Sequence, residues 1–115
     1  MKEKFRVIIL EEASEFIDKL DEKSRDKIIF NLNKAKFTRE KELFEKLQGE
    51  IWEFRTLYNK TYYRLLAFWD KTLKADTLVV TTHGMVKKTD KMPQVEIDKA
   101  ERIRKLYFKQ KENEK

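Results

Sequence analysis

Gly49-Glu50-Ile51-Trp52-Glu53-Phe54-Arg55-Thr56-Leu57-Tyr58-Asn59-Lys60-Thr61-Tyr62-Tyr63-Arg64-Leu65-Leu66-Ala67-Phe68-Trp69 decides the fold. After Gly49 the apolar periodicity is two. Trp52, Phe54, Thr56 and Tyr58 share one face of a predicted strand, and Ile51, Glu53, Arg55 and Leu57 share the other. Asn59-Lys60 reads as a short turn. A second strand over 62–69 puts Tyr62, Arg64, Leu66 and Phe68 on one side and Tyr63, Leu65, Ala67 and Trp69 on the other. The polar stretch 70–76 reads as a loop, and the β-branched run 77–83 as a third strand ended by Gly84. Short turns between the three predict an antiparallel meander.

Upstream, Phe5-Arg6-Val7-Ile8-Ile9-Leu10 is apolar on both faces and reads as a central strand that returns to the meander. Ala13, Phe16, Ile17 and Leu20 then form a helical stripe. Asp21 is placed to cap a second helix carrying Ile28, Ile29, Leu32 and Ala35. The charged stretch through Leu43, Phe44 and Leu47 continues from it. Downstream, Pro93 fits the start of a helix with Ile97, Ala100, Ile103, Arg104 and Tyr107 on one stripe. The expected fold is α+β in the order β-α-α-β-β-β-α, a mostly antiparallel sheet packed by an N-terminal helical hairpin. Residues 1–108 read as one domain and 109–115 as a polar, frayed tail.

The chain has 115 residues, one domain's worth, with enough apolar sequence for a core. It has no Cys, which excludes disulfides, thiolate metal sites and Cys nucleophiles, and one His, which argues against a His-based metal site. No apolar run is long enough for a signal peptide or a spanning helix, so the expected compartment is the cytoplasm and no membrane is expected as partner. The net charge is +6. Residues 1–48 carry +1 and residues 49–115 carry +5, most of it between Arg55 and Lys91. Such a concentration invites a polyanion, although a lysine run can equally be a solubilising surface. Arg55 and Arg64 resist the second explanation, because a mid-strand Arg needs either an ion-pair partner or an open face. Glu53, two residues from Arg55 on the same face, could be that partner.

Four segments resemble a known family. Leu47-Gln48-Gly49-Glu50-Ile51-Trp52-Glu53-Phe54-Arg55, Tyr63-Arg64-Leu65-Leu66, His83-Gly84-Met85-Val86-Lys87-Lys88-Thr89 and Pro93-Gln94-Val95-Glu96-Ile97-Asp98-Lys99-Ala100 are similar, in order and spacing, to blocks of RelE/HigB-type toxins, especially the HigB-like, phage-derived branch. The resemblance implies the toxin of a type II toxin–antitoxin system, an endoribonuclease that cleaves mRNA in the ribosomal A site. It also implies a helix-turn-helix antitoxin as partner and a reaction needing no metal or other cofactor.

It further implies a concave sheet face where Arg64 clamps phosphate, Lys87 or Lys88 stabilises the transition state, and Arg55 binds substrate or moves a proton. His83 could serve as acid or base, or could simply bond to backbone at a strand end. Lys60, Lys71, Lys74, Lys91 and Tyr62 are candidate RNA contacts, the tyrosine by stacking on a base. Trp52, Trp69 and Tyr107 read as core. Many relatives carry a Tyr in or near the last helix, whereas Lys88-Thr89-Asp90-Lys91-Met92-Pro93 has none. The acid and base are therefore left open. A non-catalytic RNA- or ribosome-binding domain, or a domain docking a protein partner, stays as the alternative.

Overall fold

The computed structural model describes residues 2–72, 78–89 and 91–114. Its elements are β1 (Arg6–Ile9), α1 (Glu11–Asp18), α2 (Glu22–Thr38), β2 (Phe44–Gln48), β3 (Ile51–Tyr58), β4 (Thr61–Asp70), β5 (Leu78–Lys87) and α3 (Gln94–Asn113). The strands form one sheet in the order β1-β5-β4-β3-β2, with β1 parallel to β5 and the other pairings antiparallel. The fold class is therefore the expected α+β with a mostly antiparallel sheet.

The β3–β4 hairpin is built as its periodicity predicts. Asn59 and Lys60 have φ of 49° and 62°, the left-handed pair that lets a two-residue turn match strand twist. Arg55 stands opposite Arg64, and Trp52 opposite Ala67. Each sheet face has its own helices. Ile17 of α1 and Ile28, Leu32 and Ala35 of α2 pack against Phe54, Leu65, Ala67 and Val79. Ile97 and Ala100 of α3 pack on the opposite face against Ile51, Leu66, Phe68 and Val80. Asp21 caps α2, accepting from the Ser24 backbone N–H at 3.1 Å.

Several boundaries differ from the sequence reading. A fifth strand, β2, occupies the stretch that continues the helical pattern. Leu43, Phe44 and Leu47 have spacings that suit a helix, but Arg39 at φ 52° ends α2 and its N–H closes onto the Ala35 carbonyl. Phe44 then enters an aromatic cluster, with ring centroids 4.5 Å from Phe54 and 4.8 Å from Trp52. That packing outweighs the weak local preference. β1 is an edge strand rather than a central one, and Ile8 and Ile9 are each about 40% exposed. Ile29 faces outward from α2.

β5 also runs through Gly84 instead of stopping there. Gly84 lies opposite Leu65, where a Cβ would come within 2.7 Å of Phe16 Cγ and 2.8 Å of Leu65 Cδ2. The glycine thus admits the Phe16 ring rather than breaking the strand.

The polar composition of 109–115 predicts a frayed tail, but α3 continues to Asn113. Lys111 and the Tyr107 hydroxyl each donate to Asp70 Oδ2 at 2.6 Å, while the Thr72 hydroxyl and backbone N–H donate to Oδ1 at 2.6 and 3.0 Å. Asp70 is wholly buried at the end of β4, so it is an anchor rather than the start of a loop. Burial alone would raise its pKa, but the bonds from Lys111, Thr72 and Tyr107 outweigh it and hold the carboxyl well below the usual range. The Tyr107 hydroxyl is pushed up by its own burial and by donating to Asp70.

Two outcomes follow from this packing. Gly84→Ala should lower stability by about 1–3 kcal/mol through overpacking against Phe16, measured by urea denaturation; an unchanged midpoint would mean the ring has room to move. Asp70→Asn should cost about 2 kcal/mol at neutral pH. Because the folded-state pKa of Asp70 is depressed, this stability is present above the unfolded-state value near 4 and is lost as pH falls toward the folded-state value. Melts of the two proteins should therefore converge in acid, and a pH-independent gap would contradict the assignment.

Candidate nucleic-acid interface

α3 covers only part of its sheet face. Leu66 and Phe68 lie beneath it, but two residues earlier along the same side of β4 come Arg64 and then Tyr62. Here the strand changes from apolar to polar on a face no helix covers. β2 is also short, leaving the edge of β3 away from β4 without a neighbouring strand beyond Arg55. These two gaps meet at a cleft of about 520 Å³, lined by Arg55, Leu57, Tyr62 and Arg64 from the hairpin, Lys27, Asn31 and Lys34 from α2, and Glu42 and Leu43.

The floor of this site is an Arg-Glu-Arg arrangement. Glu53 is 1% exposed and lies 3.1 Å from Arg55 Nε through Oε2 and 3.0 Å from Arg64 Nε through Oε1. The first contact is a hydrogen bond. The second has the distance of an ion pair but not the direction of a hydrogen bond. Arg55 also reaches Glu45 at 2.7 Å, and Arg64 donates to the Tyr63 carbonyl at 3.3 Å. Burial lowers the Arg64 pKa, opposed by Glu53 and reinforced by Arg55. The guanidinium remains charged, since its ordinary pKa is far above neutrality. Both reasons for a mid-strand Arg therefore apply here: an ion-pair partner on one side and an open cleft on the other.

The four charges of Glu45, Glu53, Arg55 and Arg64 cancel. Free positive charge at this end comes from lysines. Lys87 is half-buried on β5 opposite Tyr62, and Lys60 is exposed at the β3–β4 turn. Lys88 is exposed one residue past the end of β5, and Lys91 is exposed before α3. Tyr62 is half exposed, and the Arg64 guanidinium sits 5.5 Å from its ring centroid, so its outer face is open to a planar ligand. Tyr63 belongs to the core and donates to Ser24. Lys71 is at the other end of β4, away from this cleft, and Lys74 lies outside the described residues.

His83 is enclosed rather than presented. It is 3% exposed, with Nδ1 2.9 Å from the Thr82 hydroxyl and Nε2 3.1 Å from Glu96 in the first turn of α3. Burial lowers its pKa, against the opposing bond to Glu96. In the neutral ring that fits, Nε2–H donates to Glu96 and Nδ1 accepts from Thr82. The bond to Glu96 ties α3 to β5. Lys27 and Lys34 of α2 line the cleft although the charge tally draws attention to the second half of the chain. Lys27, Asn31 and Lys34 follow one another at helical-turn spacing along one stripe of α2, and Asn31, which donates to Thr56 at 3.2 Å, sets that stripe beside β3.

Among the described residues no cluster of His, Asp or Glu could hold a metal ion, and no helix is long and apolar enough to cross a membrane. Glu53→Gln should destabilise the protein by about 3–5 kcal/mol in urea denaturation, because it strips the countercharge from a nearly buried Arg. Wild-type stability in that variant would mean that solvent neutralises the pair.

No curated protein matches the chain. A family model described as "Phage derived protein Gp49-like (DUF891)" matches residues 15–105. The match runs from within α1 to within α3 and takes in Glu53, Arg55, Arg64 and Lys87. By this match over most of its length, the chain belongs to the Gp49-like family of phage-derived proteins.

Proposed function

We propose that this protein is the toxin of a type II toxin–antitoxin system, a HigB-like endoribonuclease that cleaves mRNA in the ribosomal A site and is neutralised by a helix-turn-helix antitoxin. The observation that carries the reading is the paired Arg55 and Arg64, fixed by Glu53 at the floor of an uncovered cleft beside Tyr62 and lysines. Membership of a family commonly associated with RelE-like toxins supports it, as do the segments similar to that superfamily.

In this reading the 2′-hydroxyl attacks the adjacent phosphorus, forming a 2′,3′-cyclic phosphate while the 5′-oxygen leaves and takes up a proton. No metal is required. Arg64 holds the phosphate through the edge of its guanidinium that faces the cleft. Lys87 and Lys88 offset charge growing on the non-bridging oxygens, the step where fixed cations matter most. Tyr62 stacks on a base. Arg55, bonded to both Glu45 and Glu53, acts chiefly by holding Arg64 and Glu53 in register. His83 has both nitrogens engaged beneath α3, so it supports the fold in this mechanism and is not the proton carrier.

One observation favours the alternative of a non-catalytic RNA-binding domain. The carboxylates at the Arg pair are already committed to it, and the one histidine is enclosed, which leaves Glu42 at the cleft edge or a lysine as the proton carrier. A lysine base requires a pKa near neutrality. Primer extension on a translated message separates the two readings. Cleavage predicts new 5′ ends in cells expressing the wild type and none with Arg64→Ala; ribosome binding without new ends supports the alternative. Expression should arrest bacterial growth, and Arg64→Ala combined with Lys87→Ala and Lys88→Ala should relieve the arrest. Full toxicity of that triple variant would sink the nuclease reading.

A further inference from the structure

A second cleft, of about 210 Å³, lies at the other end of β3 and β4, lined by Arg39, Lys46, Glu50, Trp52, Trp69 and Lys71. It is on the α1–α2 side of the sheet, the side where Trp52 and Trp69 pack against the first core cluster. The mechanism above does not use it. Its chemistry is specific. Arg39 ends α2 and lays its guanidinium over both indoles, 5.6 Å from the Trp52 ring and 5.1 Å from the Trp69 ring. The two rings are 6.0 Å apart and nearly perpendicular, so they form a corner that the guanidinium closes. Lys46 and Lys71 are exposed at its rim. Three cations thus face one carboxylate, Glu50, and among the described residues none of the three forms an ion pair.

From this we infer that the Arg39–Lys46–Lys71 cleft is a second RNA contact, holding a phosphodiester of a single strand outside the cleavage site. The inference rests on the proposed reading of the chain as an RNA-acting protein. Unpaired cations converging on a cleft with room for a phosphate group recognise a phosphodiester without reading sequence. A guanidinium held against the indoles by cation–π contact can present its outer side to a base. Lys71 is seven residues along β4 from Arg64, roughly 23 Å at the usual rise of a strand. An RNA held here is therefore a distal part of the strand or a neighbouring RNA, and the contact adds affinity without touching the reacting phosphate.

The cleft contains its own reporter, because Trp52 and Trp69 are the chain's two tryptophans. Titrating the protein with a 2′-O-methyl uridine decamer, which cannot be cleaved, should change the indole fluorescence saturably. Arg64→Ala should retain that response, whatever it does to cleavage. The exposed-site double variant Lys46→Gln/Lys71→Gln should bind more weakly and flatten the log–log salt dependence by about 1.4, the value for two lost phosphate contacts on a single strand. Arg39→Gln should weaken binding further, and the double variant keeps the test valid if Arg39→Gln unfolds. No fluorescence change with the decamer would overturn the proposal. So would an unaltered salt slope in Lys46→Gln/Lys71→Gln, or inorganic phosphate producing the whole response with no further change on adding the decamer.

Discussion

Glu53 is a carboxylate almost wholly withdrawn from water in the middle of a sheet, and the arrangement around it makes that burial tolerable. An isolated charge in this position would cost several kcal/mol. Two guanidinium groups within about 3 Å offset the cost, and they need the carboxylate as much as it needs them. Arg55 and Arg64 stand directly opposite each other on adjacent strands, a like-charge pairing that is unfavourable by itself. The triad therefore constrains the register of the hairpin. A slip of one residue would turn Glu53 and Arg55 together toward Phe54's side of the sheet, into the aromatic cluster, and leave Arg64 nearly buried without its countercharge. The Asn59-Lys60 turn supplies the matching local constraint.

This triad sits where it does because helix coverage stops. α3 is held against the far end of β4 by Asp70, through Tyr107 and Lys111, and against β5 by the His83–Glu96 bond. Both anchors lie to one side of Arg64. The face beneath α3 is apolar, with Leu66, Phe68 and Val80, whereas the uncovered remainder carries Arg64, Tyr62 and Lys87. Buried polar groups here thus serve two ends. Asp70 and His83 fasten a helix, and Glu53 fixes the two arginines on the part of the face that the helix does not cover. The first two make the opening and the third furnishes it.

Most of the sheet is legible from period-two alternation, because β3 and β4 have helices or an ion-pair cluster on both sides and each face keeps its chemistry. Glu53 as the partner of Arg55 is legible from the two-residue spacing, but its simultaneous contact with Arg64 depends on a cross-strand register that a linear pattern does not give. β2 is hidden because Leu43, Phe44 and Leu47 also satisfy a helical period, and only long-range packing on Phe54 and Trp52 decides between the two. Gly84 misleads for a related reason. A glycine usually punctuates, but here it makes space for a side chain from α1, Phe16, which is 68 residues away in sequence. The helical run through 109–113 depends on Lys111 reaching a buried Asp70, again a tertiary contact that polarity alone obscures.

The charge tally has the same limit. Counting by segment puts the excess between Arg55 and Lys91, yet within that segment Arg55 and Arg64 are neutralised by Glu45 and Glu53. In the first half, which is nearly balanced in sum, pairing is uneven. Glu12 bridges to Lys99 and Glu3 to Lys36, while Arg39 and Lys46 have no carboxylate partner among the described residues. What a polyanion meets is the unpaired charge, not the segment's net charge. Among the described residues, Lys27, Arg39 and Lys46 from the balanced half and Lys60, Lys71 and Lys87 from the basic half are such unpaired charges, brought to the two clefts and their rims by folding. Their field extends only about 10 Å at ordinary ionic strength. The two clefts, separated by the length of β4, must therefore hold an RNA through separate local contacts rather than through one shared potential.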